Sequence, residues 1–202
     1  MENIFMPFII SLFLSLILTP PVKKLAIKVG AVDIPKDDRR VHKKPMALMG
    51  GLAIYISTIT TSLIFLPIDK TLISIIIGGT IILISGIIDD IKELSPKKKL
   101  LFQIIAAVVL VIGDVKIDAI TNPFTKTSNL INLGVFSVPI TIFWIVGITN
   151  TLNLIDGLDG LAAGVAMISS LSFLAVASKF NYIPVIIMSS IIPLPQIHIW
   201  KW

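Results

Sequence analysis

The sequence predicts an all-α fold: a polytopic bundle of about seven transmembrane helices with the N-terminus outside. Three observations carry that expectation. Of 202 residues, 55% are apolar and only 14% charged, with a mean hydropathy of +0.96, whereas a soluble domain is about 25% charged. The apolar residues fall into seven long stretches, each near the length of about 20 residues that crosses a hydrocarbon core. The basic residues collect in alternate connections, as the positive-inside rule requires. The same composition excludes a disordered or collagen-like chain. With no cysteine and two histidines, neither a disulfide framework, nor thiol chemistry, nor a His-rich zinc site is supported.

In chain order, the first span is read at 3–22. A cleaved signal peptide would need a basic start and a small-residue cleavage site. Here Glu2 precedes the run and Thr19-Pro20-Pro21 is a poor cleavage site, so the segment is expected to stay as a membrane helix. Residues 23–44 are polar. The second span, 47–66, has Gly50-Gly51 near its start, and a tight turn at 67–70 leads into the third, 72–88. A polar connection, 89–99, precedes a short fourth span, 100–117. The loop 118–134 is rich in Asn, Thr and Ser and carries no legible chemistry. The fifth span, 135–155, holds Pro139 near its start, where a missing N–H costs little. The sixth is 160–178, and the seventh, 183–200, is interrupted by Pro184, Pro193 and Pro195. There is no internal repeat, and 1–202 reads as one membrane domain.

Charge sets the orientation. Of 17 Lys and Arg, only Lys70, Lys116, Lys126 and Lys179 lie in the connections on the side of the second and fourth loops. The other thirteen lie in 23–44, in 89–99 and at Lys201, which puts those segments in the cytosol. Asp89, Asp90, Asp156 and Asp159 fall on the same cytosolic face without further assumption. Carboxylates at span ends are costly to desolvate without a cation or partner.

Two positions concentrate these acids. Asp156 and Asp159 sit three apart between two uncharged runs, a spacing that puts both on one face if helix continues. Gly157 and Gly160 leave that face bare, and Asn150 and Asn153 add polar groups at the same edge. Asp89-Asp90 closes the third span as an adjacent, mutually repelling pair that a metal or Lys92 would relieve. Each could be solvated loop charge on its own. Together, four carboxylates without Cys and without a nearby His point to a hard cation, Mg²⁺ or Mn²⁺, which is held by one or two carboxylates plus substrate phosphates and water. Neighbouring Lys and Arg suit phosphate oxygens. The four acids are therefore expected to converge on one site for metal-assisted phosphoryl transfer at the membrane surface, with apolar spans beneath to receive a lipid substrate. No nucleic-acid partner is indicated.

Asn150 to Ala162, read as Asn-x-x-Asn-x-x-Asp-Gly-x-Asp-Gly-x-Ala, resembles a signature of the polyprenyl-phosphate N-acetylhexosamine-1-phosphate transferases, glycosyltransferase family 4. Gly86-Ile87-Ile88-Asp89-Asp90, followed by Leu94-Ser95-Pro96-Lys97, Lys99 and Gln103, resembles the family's first acidic motif and its basic helix. Gly30-Ala31-Val32-Asp33 with Pro35, Arg39, Arg40 and His42 is similar to its first cytosolic loop. Pro45 to Gly51 is similar to a Pro-x-Pro-Arg-x-Gly-Gly segment, although Ala47 and Leu48 stand where the pattern has Pro and Arg. The first-loop and Leu-Ser-Pro matches favour the undecaprenyl-phosphate N-acetylglucosamine-1-phosphate transferase branch over the muramoyl-pentapeptide branch.

The resemblance implies transfer of N-acetylglucosamine 1-phosphate from a UDP-sugar to undecaprenyl phosphate, releasing UMP. That is the first membrane step of teichoic acid or other surface glycan synthesis, at the cytosolic face of the cell membrane. It implies catalytic Asp89 and Asp90, a Mg²⁺ ligand in Asp156, and substrate contacts from Asn153, Asp159, Lys99, Arg39 and His42. A homodimer is compatible with it. It covers roughly 1–190. The family's further spans and its Gly-Asp-x-Gly-Ser motif are not found in these 202 residues, so the sequence reads as C-terminally incomplete relative to the family. An inactive truncated remnant is thus an alternative. An ion-coupled transporter is another, and is less favoured because transporter carboxylates lie near the bilayer midplane rather than at span ends.

Overall fold

The chain turns where its glycines and prolines sit and stays helical between them. In the computed structural model, which describes residues 5–33, 46–122, 124, 129–155 and 161–192, the order is α1 (Phe5–Val29), β1 (Val32–Asp33), β2 (Met46–Ala47), α2 (Gly50–Phe65), α3 (Lys70–Lys92), α4 (Pro96–Ile112), β3 (Ala119–Thr121), β4 (Leu130–Asn132), a 3-10 turn at Gly134–Phe136, α5 (Ser137–Ile155), α6 (Leu161–Lys179) and α7 (Ile183–Ile191). This is an all-α, polytopic membrane architecture. Among the described residues, four segments are long and apolar enough to cross a bilayer: α1, α3, α6, and α5 with the 3-10 turn before it; α2 is a shorter apolar helix.

The helix ends differ from the apolar stretches in ways the local chemistry explains. α1 runs past position 22, through Pro20, Pro21 and three lysines, to Val29. Nothing stops it before Gly30, which takes φ +80°. There Gly30 N–H bonds Ile27 O and Ala31 N–H bonds Ala26 O, the paired bonds of a Schellman C-cap. α3 extends four residues past Ile88, so Asp89 and Asp90 belong to its last turn. α4 starts at Pro96, a residue pre-set for the first helical turn, and ends at Ile112 before Gly113, so residues 114–117 are loop. The connection read as featureless holds an antiparallel pair, with Ile120 opposite Ile131.

Two compact units divide the chain. The first comprises Met1–Pro67, Leu83–Leu94 and Ile155–Trp202. Within it α1 packs along α2 and against α7, and α6 packs on α7. The α1 face buries Pro7, Ser11, Ser15, Thr19, Val22 and Ala26, and α2 buries Ala53, Ser57 and Thr61. Small residues at such seams let backbones approach closely, which drives helix association where lipid removes the hydrophobic difference. Ser11 Oγ donates to Ile191 O at 2.9 Å, joining α1 to the end of α7. A cluster of Val22, Ala26, Ala31, Met49 and Ala53, with Leu48, Leu52 and Ile87 against it, sits where α1, α2 and α3 end together.

The second unit comprises Ile68–Ile82 and Ser95–Leu154. Its α3–α4 hairpin is closed by polar contacts. Thr71 Oγ1 donates to Gly113 O at 3.2 Å, and Lys70 Nζ lies 2.7 Å from Asp114 Oδ2 with Lys116 Nζ 3.5 Å from Oδ1. The hydrogen bond and charge of Lys70, reinforced by Lys116, hold the Asp114 carboxyl below its usual value of 3.8. A carboxylate depressed in the folded state stabilises above its unfolded pKa, and that contribution is lost as pH falls through the folded value. Asp114→Asn should therefore flatten a small acid-side decline in the melting temperature of the detergent-solubilised protein below about pH 4. It should leave the melting temperature at pH 7 close to wild type, because exposed ion pairs are screened by solvent. An unchanged acid-side slope in the variant would remove Asp114 from that decline.

Candidate functional site

The C-terminal end of α3 is where the sequence-predicted residues can be followed. Asp89 and Asp90 are half-buried in its last turn. Asp89 Oδ1 accepts from Leu94 N–H at 2.8 Å, while Asp89 O accepts from Glu93 N–H at 2.9 Å. Glu93 adopts φ +47°, the left-handed step by which a helix ends. One carboxylate oxygen of Asp89 thus fixes the turn that leads into the Leu-Ser-Pro segment.

Asp90 reaches across to α2. Its Oδ2 accepts from Met49 N–H at 3.0 Å. Met49 is the residue before α2, holds φ +70° and makes no side-chain cap. A carboxylate from another helix therefore supplies the cap that α2 lacks, at the positive end of its dipole. The same few residues anchor the preceding loop. Val32 pairs with Ala47 and Asp33 with Met46, and Leu48 N–H bonds Ala31 O at 2.9 Å. Val32-Asp33 and Met46-Ala47 thus form one short ladder beside Met49, the residue whose N–H Asp90 accepts from.

Arg39 and His42 belong to the 34–45 segment and lie outside the described residues, as do Asp156 and Asp159. The expected convergence of four carboxylates is therefore not visible, and among the described residues no group of three His, Cys, Asp or Glu could hold a metal. Asn150 and Asn153 are exposed in the last two turns of α5. Lys99 is half-buried in the first turn of α4, after Lys97 and Lys98. Lysines at a helix N-terminus oppose the dipole, and three in succession make a strongly positive end suited to phosphate oxygens. Sequence reasoning missed Met49, because its contribution is a main-chain N–H that any residue carries. The only local signal was the Gly50-Gly51 helix start behind it.

Carboxylates that accept from backbone N–H groups at the end of a membrane-length helix belong to a polytopic membrane protein. The sequence profile described as Glycosyl transferase family 4 matches residues 72–198. The chain is 46% identical over 177 residues to a protein of Bacillus subtilis named "Probable undecaprenyl-phosphate N-acetylglucosaminyl 1-phosphate transferase", covering 87% of this chain and 48% of that one. It is 34% identical to the decaprenyl-phosphate N-acetylglucosaminephosphotransferase of Mycolicibacterium smegmatis, covering 75% and 39%. It is 32% identical to the phospho-N-acetylmuramoyl-pentapeptide-transferase of Halalkalibacterium halodurans, covering 93% and 62%. The chain belongs to glycosyl transferase family 4. It spans about half the length of the B. subtilis relative.

Proposed function

We propose that this protein transfers N-acetylglucosamine 1-phosphate from UDP-N-acetylglucosamine to undecaprenyl phosphate at the cytosolic face of the cell membrane, opening teichoic acid or another surface glycan. The observation that carries the reading is the Asp89–Asp90 pair at the end of a membrane helix, braced by Leu94 and Met49, in a chain 46% identical to a protein named for that reaction. An oxygen of the lipid phosphate attacks the phosphorus that bears the sugar. The bond from that phosphorus to the bridging oxygen breaks, and UMP leaves. Asp89 takes the proton of the lipid phosphate, so that the attacking oxygen carries full charge. Asp90 holds the start of α2. Lys99, Arg39 and His42 bind phosphate oxygens, and Asn153 and Asp159 contact the donor.

The donor set fits a hard cation: Asp89, Asp90 and Asp156 offer only carboxylate oxygen, and the chain has no cysteine. Asp156 is the proposed Mg²⁺ ligand. Mg²⁺, when bound, would neutralise charge on the donor diphosphate as the sugar phosphate is transferred and UMP leaves. The protein in vesicles containing undecaprenyl phosphate should make a lipid-linked product from UDP-N-acetylglucosamine, with one UMP per product and loss of turnover under chelation. A product formed from UDP-N-acetylmuramoyl-pentapeptide in its place would refute the donor, and failure with both donors would refute the activity.

A further inference from the structure

The connection between α4 and α5 carries fewer charges than a loop in water. From Ala119 to Phe136 the sequence has one charged residue, Lys126, where a water-exposed segment of that length would carry about four. Among the described residues its large side chains are exposed: Phe124 is 94% exposed, Val135 86%, Leu130 68% and Phe136 65%, with Ile120 and Ile131 also exposed. Leu130 and Ile131 are neighbours on one strand and point to opposite faces, so packing one face would leave the other bare. A lone two-stranded hairpin is marginal in water, and its apolar surface would be a liability there.

The hairpin is nevertheless fixed in place. Asp118 Oδ1 accepts from Ser137 Oγ at 3.0 Å, Leu133 N–H bonds Asp118 O at 2.9 Å, and Ile117 N–H donates to Thr141 Oγ1 at 2.9 Å. Its base is thus tied to the first turn of α5, the helix that enters the membrane without a charged residue along its length. Its exposed apolar residues run on into those of α5, Val138, Ile140, Phe143 and Trp144.

We infer that the described apolar residues of this connection, Ile120, Phe124, Leu130, Ile131, Val135 and Phe136, form an interfacial element that rests in the lipid surface around the N-terminal end of α5, at the headgroup–acyl boundary. The ligand is the bilayer itself, recognised by apolar contact. With Lys126 as the single charge, anionic lipid adds little. The hairpin acts as a lateral brace that fixes the depth of α5.

The chain has no cysteine, so Leu130→Cys and Val135→Cys each give a single labelling site for an environment-sensitive fluorophore. In neutral phosphatidylcholine vesicles both labels should emit as in an apolar medium. They should resist aqueous iodide and be quenched more by lipids carrying a nitroxide near the headgroup than by ones carrying it deep in the chain. Adding phosphatidylglycerol should change this less than twofold. Water-like emission with full iodide quenching at both sites would overturn the proposal. So would shielding that vanishes as protein is diluted in lipid, since a second copy would then be the cover.

Discussion

Asp89→Asn is expected to lower the rate of lipid-linked N-acetylglucosamine formation by about 100- to 10,000-fold, the range over which a positioned base contributes. The substitution is informative because it separates two roles of one side chain. Asparagine keeps an oxygen that can accept from Leu94 N–H, the bond now measured at 2.8 Å, so the turn into α4 survives and the folded population should hold. The capacity to take a proton from the lipid phosphate is lost. The effect should therefore fall on kcat with little change in KM, and the melting temperature should stay within about 0.5 kcal/mol of wild type in stability terms. Activity within tenfold of wild type would make Asp89 a helix-end cap and nothing more. Asp90→Ala belongs beside it, since it removes the partner of Met49 N–H and should reduce stability as well as rate, a buried donor left unpaired costing about 1–3 kcal/mol.

Gly113→Ala should give the largest loss of stability from the smallest change. A Cβ at position 113 would overlap the Ser74 side chain, including Ser74 Cβ, which moves only if the α3 backbone moves. Overpacking of that kind costs about 1–3 kcal/mol, occasionally more. The position also holds the hairpin closed, since Thr71 donates to Gly113 O. The melting temperature in detergent should fall for Gly113→Ala and recover in good part when Ser74→Gly is added. Gly51→Ala, where a Cβ meets nothing within 4 Å, should be near neutral by comparison. If the two alanine variants melt together, the α3–α4 contact is not as close as the structure has it.

Much of this molecule was legible in the residues. Apolar run lengths marked the chain as helical and membrane-spanning, because a segment facing hydrocarbon must satisfy its backbone internally and helix is the way a single segment does so. The acids of the candidate site were legible because a carboxylate at a span end is expensive unless it has a task. The ends of elements were less so. Position 22 looked like the end of α1 because charge begins at Lys23, yet charge does not stop a helix, and the chain continued until Gly30 could take a left-handed turn. The third span was expected to end at Ile88, and α3 runs on to Lys92, so Asp89 and Asp90 lie in its last turn.

What the sequence by itself determined was the membrane class, the helical content, the family and the identity of the acids, all of which follow from side-chain chemistry and spacing along one chain. What only the tertiary structure decided was which backbone each acid holds. Asp90 meets Met49 from 41 positions away, and Val32 pairs with Ala47 beside that point. The same is true of Gly113, whose need for a bare Cα comes from Ser74 on the neighbouring helix. Main-chain donors and close helix approaches leave no mark on residue type, since every residue but proline has the same N–H. They exist only once the packing of small side chains has set how near two backbones can come.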